Sequence, residues 1–199
     1  MKNTVVTVVC QYGSGGELIA RRLAEALALP FYDKEALLEA SKEESREDGF
    51  RQGSAEQGQR LYSLATGVGV VSTGATTLPE DDVTTLRLAD AVKRLATDGG
   101  CVIAAEGFAV ASVGQTKGIS VYISADREDR VRRIASGEGV LPSVAHRKII
   151  RRDKRNRRLC RLYAGATDRY ALCLNSSFFG VDGAVDAIRG ILDRRNKCG

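Results

Sequence analysis

The chain has 199 residues, 43% hydrophobic and 28% charged, which gives enough apolar surface for a sizeable core and argues against wholesale disorder. Its formal charge is +5, yet nine basic residues and one acid, Asp153, fall between Arg147 and Arg161, so that segment carries +8 and the remainder −3. No apolar run approaches the roughly 20 residues of a membrane span, and residues 4–10 are too short for a signal-peptide core. Five cysteines without C-x-x-C spacing and a single histidine, His146, argue against a disulfide framework, a zinc site and a histidine-centred triad. The expectation is a cytoplasmic protein with no membrane association.

In chain order, residues 4–10 form a β-branched run closed by glycines, the mark of a buried parallel strand. Residues 17–29 place Leu18, Ile19, Leu23, Ala26 and Leu27 at helical spacing before Pro30. Asp33 is placed to cap a helix over residues 34–41. Apolar residues nearly vanish from 42 to 60, so residues 42–78 read as a mobile insertion or a loosely held helix. Pro79 opens a helix to about residue 97. Buried strands follow at 101–105 and 119–124, then a helix over 126–136, the basic helix over 144–163, a short strand at 170–174 and a helix over 181–192. This alternation predicts one three-layer α/β domain with a parallel sheet.

Gly13, Ser14, Gly15 and Gly16 stand between the first strand and its helix. Small residues there let backbone N–H groups converge on an anion beside the positive end of the helix. The full G-x-x-x-x-G-K-[ST] pattern is missing, because no Lys or Arg follows the glycines. A phosphate-binding loop and a plain strand-to-helix turn both remain open at this level.

The wider run from Gln11 to Gly16, with Ile19-Ala20 and Pro30 through Glu35, resembles the cytidylate kinase-like family. Colinear matches continue at Leu61 to Leu64, Cys101 to Ile103, Asp126 to Arg130, Asp153-Lys154, Tyr163 to Gly165 and Tyr170 to Ser177. The resemblance implies a P-loop kinase fold, ATP and Mg²⁺ as co-substrates, and a nucleoside monophosphate or related small molecule as acceptor. It places the nucleotide on Tyr12 and Gly13 to Gly16, with Asp33 and Arg151 on the acceptor side. It also implies a lid over residues 138–168.

The chain departs from the family where charge is carried. The family's run R-Q-Y-G-S-G-G-R has arginines where this chain has Cys10 and Glu17. Glu17 suits the first turn of a helix. At about 7 Å and an effective dielectric of about 20, however, it would repel each phosphate charge by on the order of 2 kcal/mol. The acceptor-gripping Arg after the next strand is replaced by Phe108, which cannot make a bidentate contact. The family's Trp-Gly-Asp motif is absent from the link between Gly165 and Tyr170.

The basic helix redresses part of this loss. Arg152, Arg155 and Arg158, with Asp153, sit where the family's lid supplies catalytic cations, and Arg151, Arg155 and Arg158 share a helical face. A solvated basic face and a nucleic-acid contact are the alternatives, but no nucleic-acid motif or aromatic platform accompanies the arginines, so nucleic acid is not expected. Glu106, ending a buried strand, would orient Mg²⁺ through water or merely cap the next turn. Asp33 and Asp126 are explained equally by helix capping, and His146 by a surface position. Tyr12 would stack on a base or cover the loop. A phosphotransferase and a catalytically impaired nucleotide- or anion-binding module are therefore both carried forward, and a homodimer is left open.

Overall fold

The computed structural model describes residues 4–47, 80–105, 118–164 and 170–198. In chain order these form β1 (Val5–Cys10), α1 (Gly16–Leu27), β2 (Phe31–Tyr32), α2 (Lys34–Glu47), α3 (Glu80–Asp98) and β3 (Cys101–Ala104). There follow β4 (Gly118–Ser124), α4 (Arg127–Glu138), α5 (Pro142–Ala164), β5 (Leu172–Asn175) and α6 (Ser176–Cys198). Glu106 and Phe108, and the expected insertion from residue 48 onward, lie outside the described residues.

The five strands form one parallel sheet in the order β2-β3-β1-β4-β5. β1 lies at the centre, and the side chains of Val5 through Val9 are buried, as a strand covered on both faces requires. One face is packed by α1 and α6, where Ile19, Leu23, Ile188 and Leu192 meet Val6, Val8, Val121 and Ile123. On the other, Leu37 of α2 and Leu88 and Val92 of α3 meet Val5, Cys101 and Ile103. Each such side chain contributes about 1.5–3 kcal/mol on full burial.

The architecture is the three-layer α/β arrangement expected, with local differences. The two-residue strand β2, which pairs Phe31 with Val102, has no apolar run of its own and exists through that pairing. Leu18 is 46% exposed, while Ile19, Ala20, Leu23 and Ala24 form the buried stripe of α1. α1 stops where Ala28 turns left-handed at φ 52° and its N–H reaches Ala24 O and Glu25 O, just ahead of Pro30. α6 begins earlier than expected and is broken at Gly180, whose φ of 66° and ψ of −175° are not helical. Among the described residues no helix is long and apolar enough to cross a membrane.

Because every strand runs the same way, the chain leaves the sheet at one edge after Cys10, Tyr32, Ala104, Ser124 and Asn175. In open parallel sheets, ligands bind outside these carboxyl ends.

Candidate functional site

The loop after β1 is fixed at both ends. Gln11 N–H donates to Ile123 O at 2.9 Å, and Gln11 Oε1 accepts from Ala125 N at 3.2 Å. Ser14 is fully buried; its N–H reaches Gln11 O at 3.0 Å, and its Oγ accepts from Gly16 N at 3.3 Å. Gly13 and Gly15 take φ of 80° and 75°, a conformation that strains any other residue. Among the described residues their N–H groups have no acceptor. A Cβ on Gly16 would stand 2.2 Å from Cys10 Cβ, so the start of α1 sits hard against β1 and has no room for a side chain there.

Two arginines of α4 brace this loop. Arg133 Nη1 donates to Ser14 O at 3.0 Å and Gly13 O at 3.3 Å, and Ser176 Oγ also donates to Ser14 O at 2.6 Å. Arg130 is 4% exposed; its Nε donates to Tyr12 O at 2.8 Å and its Nη2 to Asp153 Oδ1 at 2.6 Å. α4 thus packs against the loop closely enough that a Cβ on Gly13 would lie 3.1 Å from Arg130 O.

Tyr12 joins the loop to α5. Its ring lies under Arg152, 5.3 Å from centroid to Cζ, within range of a cation–π contact. Its hydroxyl donates to Glu138, which also pairs with Lys148. Burial, reinforced by the Glu138 bond, raises the Tyr12 pKa, so the hydroxyl keeps its proton at neutral pH. The Lys148 contact, followed by that of Tyr12, lowers the Glu138 pKa.

Beside this junction is a cavity of about 240 Å³, lined by Cys10, Tyr12 and Glu17 from the β1 end, Ala104 and Ala105 from β3, and Lys34 and Leu37 from α2. Thr84 and Leu88 of α3 and Arg152, Asp153, Arg155 and Asn156 of α5 complete it. The structure therefore brings Tyr12, Arg152, Asp153 and Arg155 to one site. Gly13 to Gly16 adjoin Tyr12 in sequence but are not among the lining residues.

Other candidates lie elsewhere. Arg151 is outside the cavity lining, whereas Arg152 and Arg155 of the same helix are part of it. Asp33 caps α2, its Oδ1 accepting from Ala36 N at 2.9 Å, and its other oxygen pairs with Arg21 at 3.3 Å. Asp126 holds the cap position of α4 without a capping bond and accepts from Asn175 Nδ2 at 3.0 Å. His146 is half-buried. The side chain of Arg158 and all of Glu106 lie outside the described residues.

Lys34, Arg130 and Arg133 were not among the candidates read from the sequence. Their signal was slight: Arg130 ends the Asp126 to Arg130 motif, but arginines on a polar helix look like any solvated face.

The sequence model of the cytidylate kinase-like family matches residues 5–178. The chain belongs to the cytidylate kinase-like family. Among solved structures it is similar to an uncharacterized protein from Eubacterium ventriosum, with a TM-score of 0.70 at 22% identity over 97% of this chain and 99% of the other. A shikimate kinase from Bacteroides thetaiotaomicron gives 0.56 at 12% identity, covering 97% and 99%. A gluconokinase from Sinorhizobium meliloti gives 0.56 at 13%, covering 99% and 98%. At these identities the likeness shows a shared P-loop kinase-like fold. No curated protein matches the chain. The cations that line the cavity are Lys34 of α2 and Arg152 and Arg155 of α5, and none comes from the glycine loop.

Proposed function

We propose that this cytidylate kinase-like protein is an ATP-dependent phosphotransferase acting on a nucleoside monophosphate or a related small anionic molecule. The observation that carries this reading is the convergence of Arg152 and Arg155 on a cavity shared with Tyr12 of the glycine loop. Phosphoryl transfer depends on positioning and on cations around the transferred group, and one well-placed Arg is worth about 10³–10⁵ in rate.

The residues present fit a nucleotide. Among the described residues the N–H groups of Gly13 and Gly15 have no acceptor, and the nearest atom to a Cβ placed on Gly15 is Arg133 Nη1, at 4.0 Å. Bound ATP would supply the phosphoryl group, with Mg²⁺ held largely by phosphates and water. The loop would orient the phosphates through its amides and the end of α1. Arg152 and Arg155 would neutralise charge on the transferred group, and Lys34 would hold the acceptor's anion. Docking of α5 on Tyr12 would keep water from the reacting end.

A second reading is favoured by Glu17, which puts a carboxylate on the cavity wall. On that reading the protein binds nucleotide or another anion without turnover. Coupled ADP release with Mg-ATP across monophosphates and small anionic alcohols separates the two. Acceptor-dependent ADP release supports the phosphotransferase, whereas folded protein that binds Mg-ATP and turns over no acceptor supports the binding module.

A further inference from the structure

We propose that Arg130 is a positioning residue that sets the rotation of the lid helix α5, with Asp153 as its anchor on that helix. The inference rests on the proposed function for its catalytic consequence, but not for its structural one.

A guanidinium that is 4% exposed must be paired, because an unpaired buried charge is costly. Arg130 meets this need in two directions at once. Nε holds the carbonyl of Tyr12 in the glycine loop, and Nη2 holds Asp153 in α5. The guanidinium is planar and rigid, so the angle between these two bonds is fixed and the lid is referred directly to the loop.

Helical geometry gives this tie its consequence. Successive residues of an α-helix are separated by about 100° around the axis. With Asp153 held by Arg130, Arg152, Arg155 and Asn156 line the cavity, while Arg151 and Lys154 do not. A rotation of one residue would turn Arg152 out and Arg151 in. Among the described side chains of α5 the buried apolar ones, Ala145 and Ile149, lie ahead of the arginines that line the cavity. The single acid of the segment therefore selects which arginines meet the ligand. Asp153 acts on this account through Arg130 and not on the reacting atoms.

Hydrogen–deuterium exchange of the full chain without ligand, together with steady-state kinetics, tests this. Asp153→Asn keeps the size of the side chain and loses its charge. Arg130→Lys keeps the buried charge and cannot make both bonds. Each should speed exchange of α5 amides in residues 150–157 by on the order of tenfold or more, the strength of a charged hydrogen bond, with β1 and β3 unchanged. Each should also lower kcat/KM for ATP by a similar factor, because the arginines that hold the phosphates are no longer presented to the cavity. Loss of turnover with unchanged α5 exchange would overturn the proposal and make Asp153 a direct participant in the chemistry. Unchanged exchange and unchanged kcat/KM would overturn it as well. If Asp153→Asn fails to fold, Arg130→Lys decides by the same lid-confined exchange. If the parent chain shows no turnover, the phosphotransferase reading fails, and the exchange comparison still decides the tie between loop and lid.

Discussion

The guanidinium of Arg152 lies over the ring of Tyr12, 5.3 Å from its centroid, and so joins the basic helix to the glycine loop. An exposed contact of this kind is worth only about 0.5–1 kcal/mol, too little to be a main support of the fold. Its importance is that it places the charge of α5 beside the loop. Arg152→Ala should therefore lower kcat/KM by about 10²-fold or more while the melting temperature falls by only a few degrees. Steady-state kinetics and a thermal melt check both halves; a large loss of stability with unchanged kinetics would make the contact structural.

Gly16 faces Cys10 with no space for a methyl group. Gly16→Ala should destabilise the chain by about 1–3 kcal/mol or more through overpacking, with a drop of several degrees in Tm. Adding Cys10→Gly should recover part of that loss. Scanning calorimetry of the two variants decides, and an unchanged Tm in Gly16→Ala would mean that α1 is not seated on β1 as described.

Glu17 lines the cavity with a side chain 64% exposed and an Arg21 partner at 3.7 Å. Solvent screening reduces its repulsion of phosphates to about 1 kcal/mol. Glu17→Gln should thus tighten binding of Mg-ATP or inorganic tripolyphosphate several-fold. Calorimetric titration measures this, and equal or weaker binding would remove Glu17 from the neighbourhood of the phosphates.

Burial pushes the Cys101 thiol up from 9.0 to about 11. A folded pKa above the unfolded one means that the native state holds its proton more tightly. The associated stability is present below about pH 9 and is lost as pH rises toward 11. Denaturant melts should show a falling alkaline limb that Cys101→Ala flattens. Thiol labelling at pH 8 should modify exposed Cys173 and reach Cys101 only on unfolding.

Local physics made much of this structure legible in the sequence. Val5 to Val9 reads as a buried strand, Gly13 to Gly16 as a tight strand-to-helix turn, and Pro30 as a helix stop. What was not legible depended on pairs far apart in the chain. β2 has two residues and exists because Phe31 meets Val102. Arg130 and Arg133 reach loop carbonyls about 120 residues away, which no helical periodicity reports. Spacing alone groups Arg151 with Arg155 and Arg158, whereas Arg152, Asp153 and Arg155 line the cavity. The partner of Asp153 is Arg130, on another helix.

On the proposed function the arginines of α5, and not the glycine loop, supply the cations that hold phosphates. Calorimetric titration of Mg-ATP into the parent chain and into Arg152→Ala/Arg155→Ala decides whether they do. Binding by the parent should weaken at least tenfold in the double variant, with both proteins melting at nearly the same temperature. Equal affinity in the two proteins, or no binding by the folded parent, would contradict it.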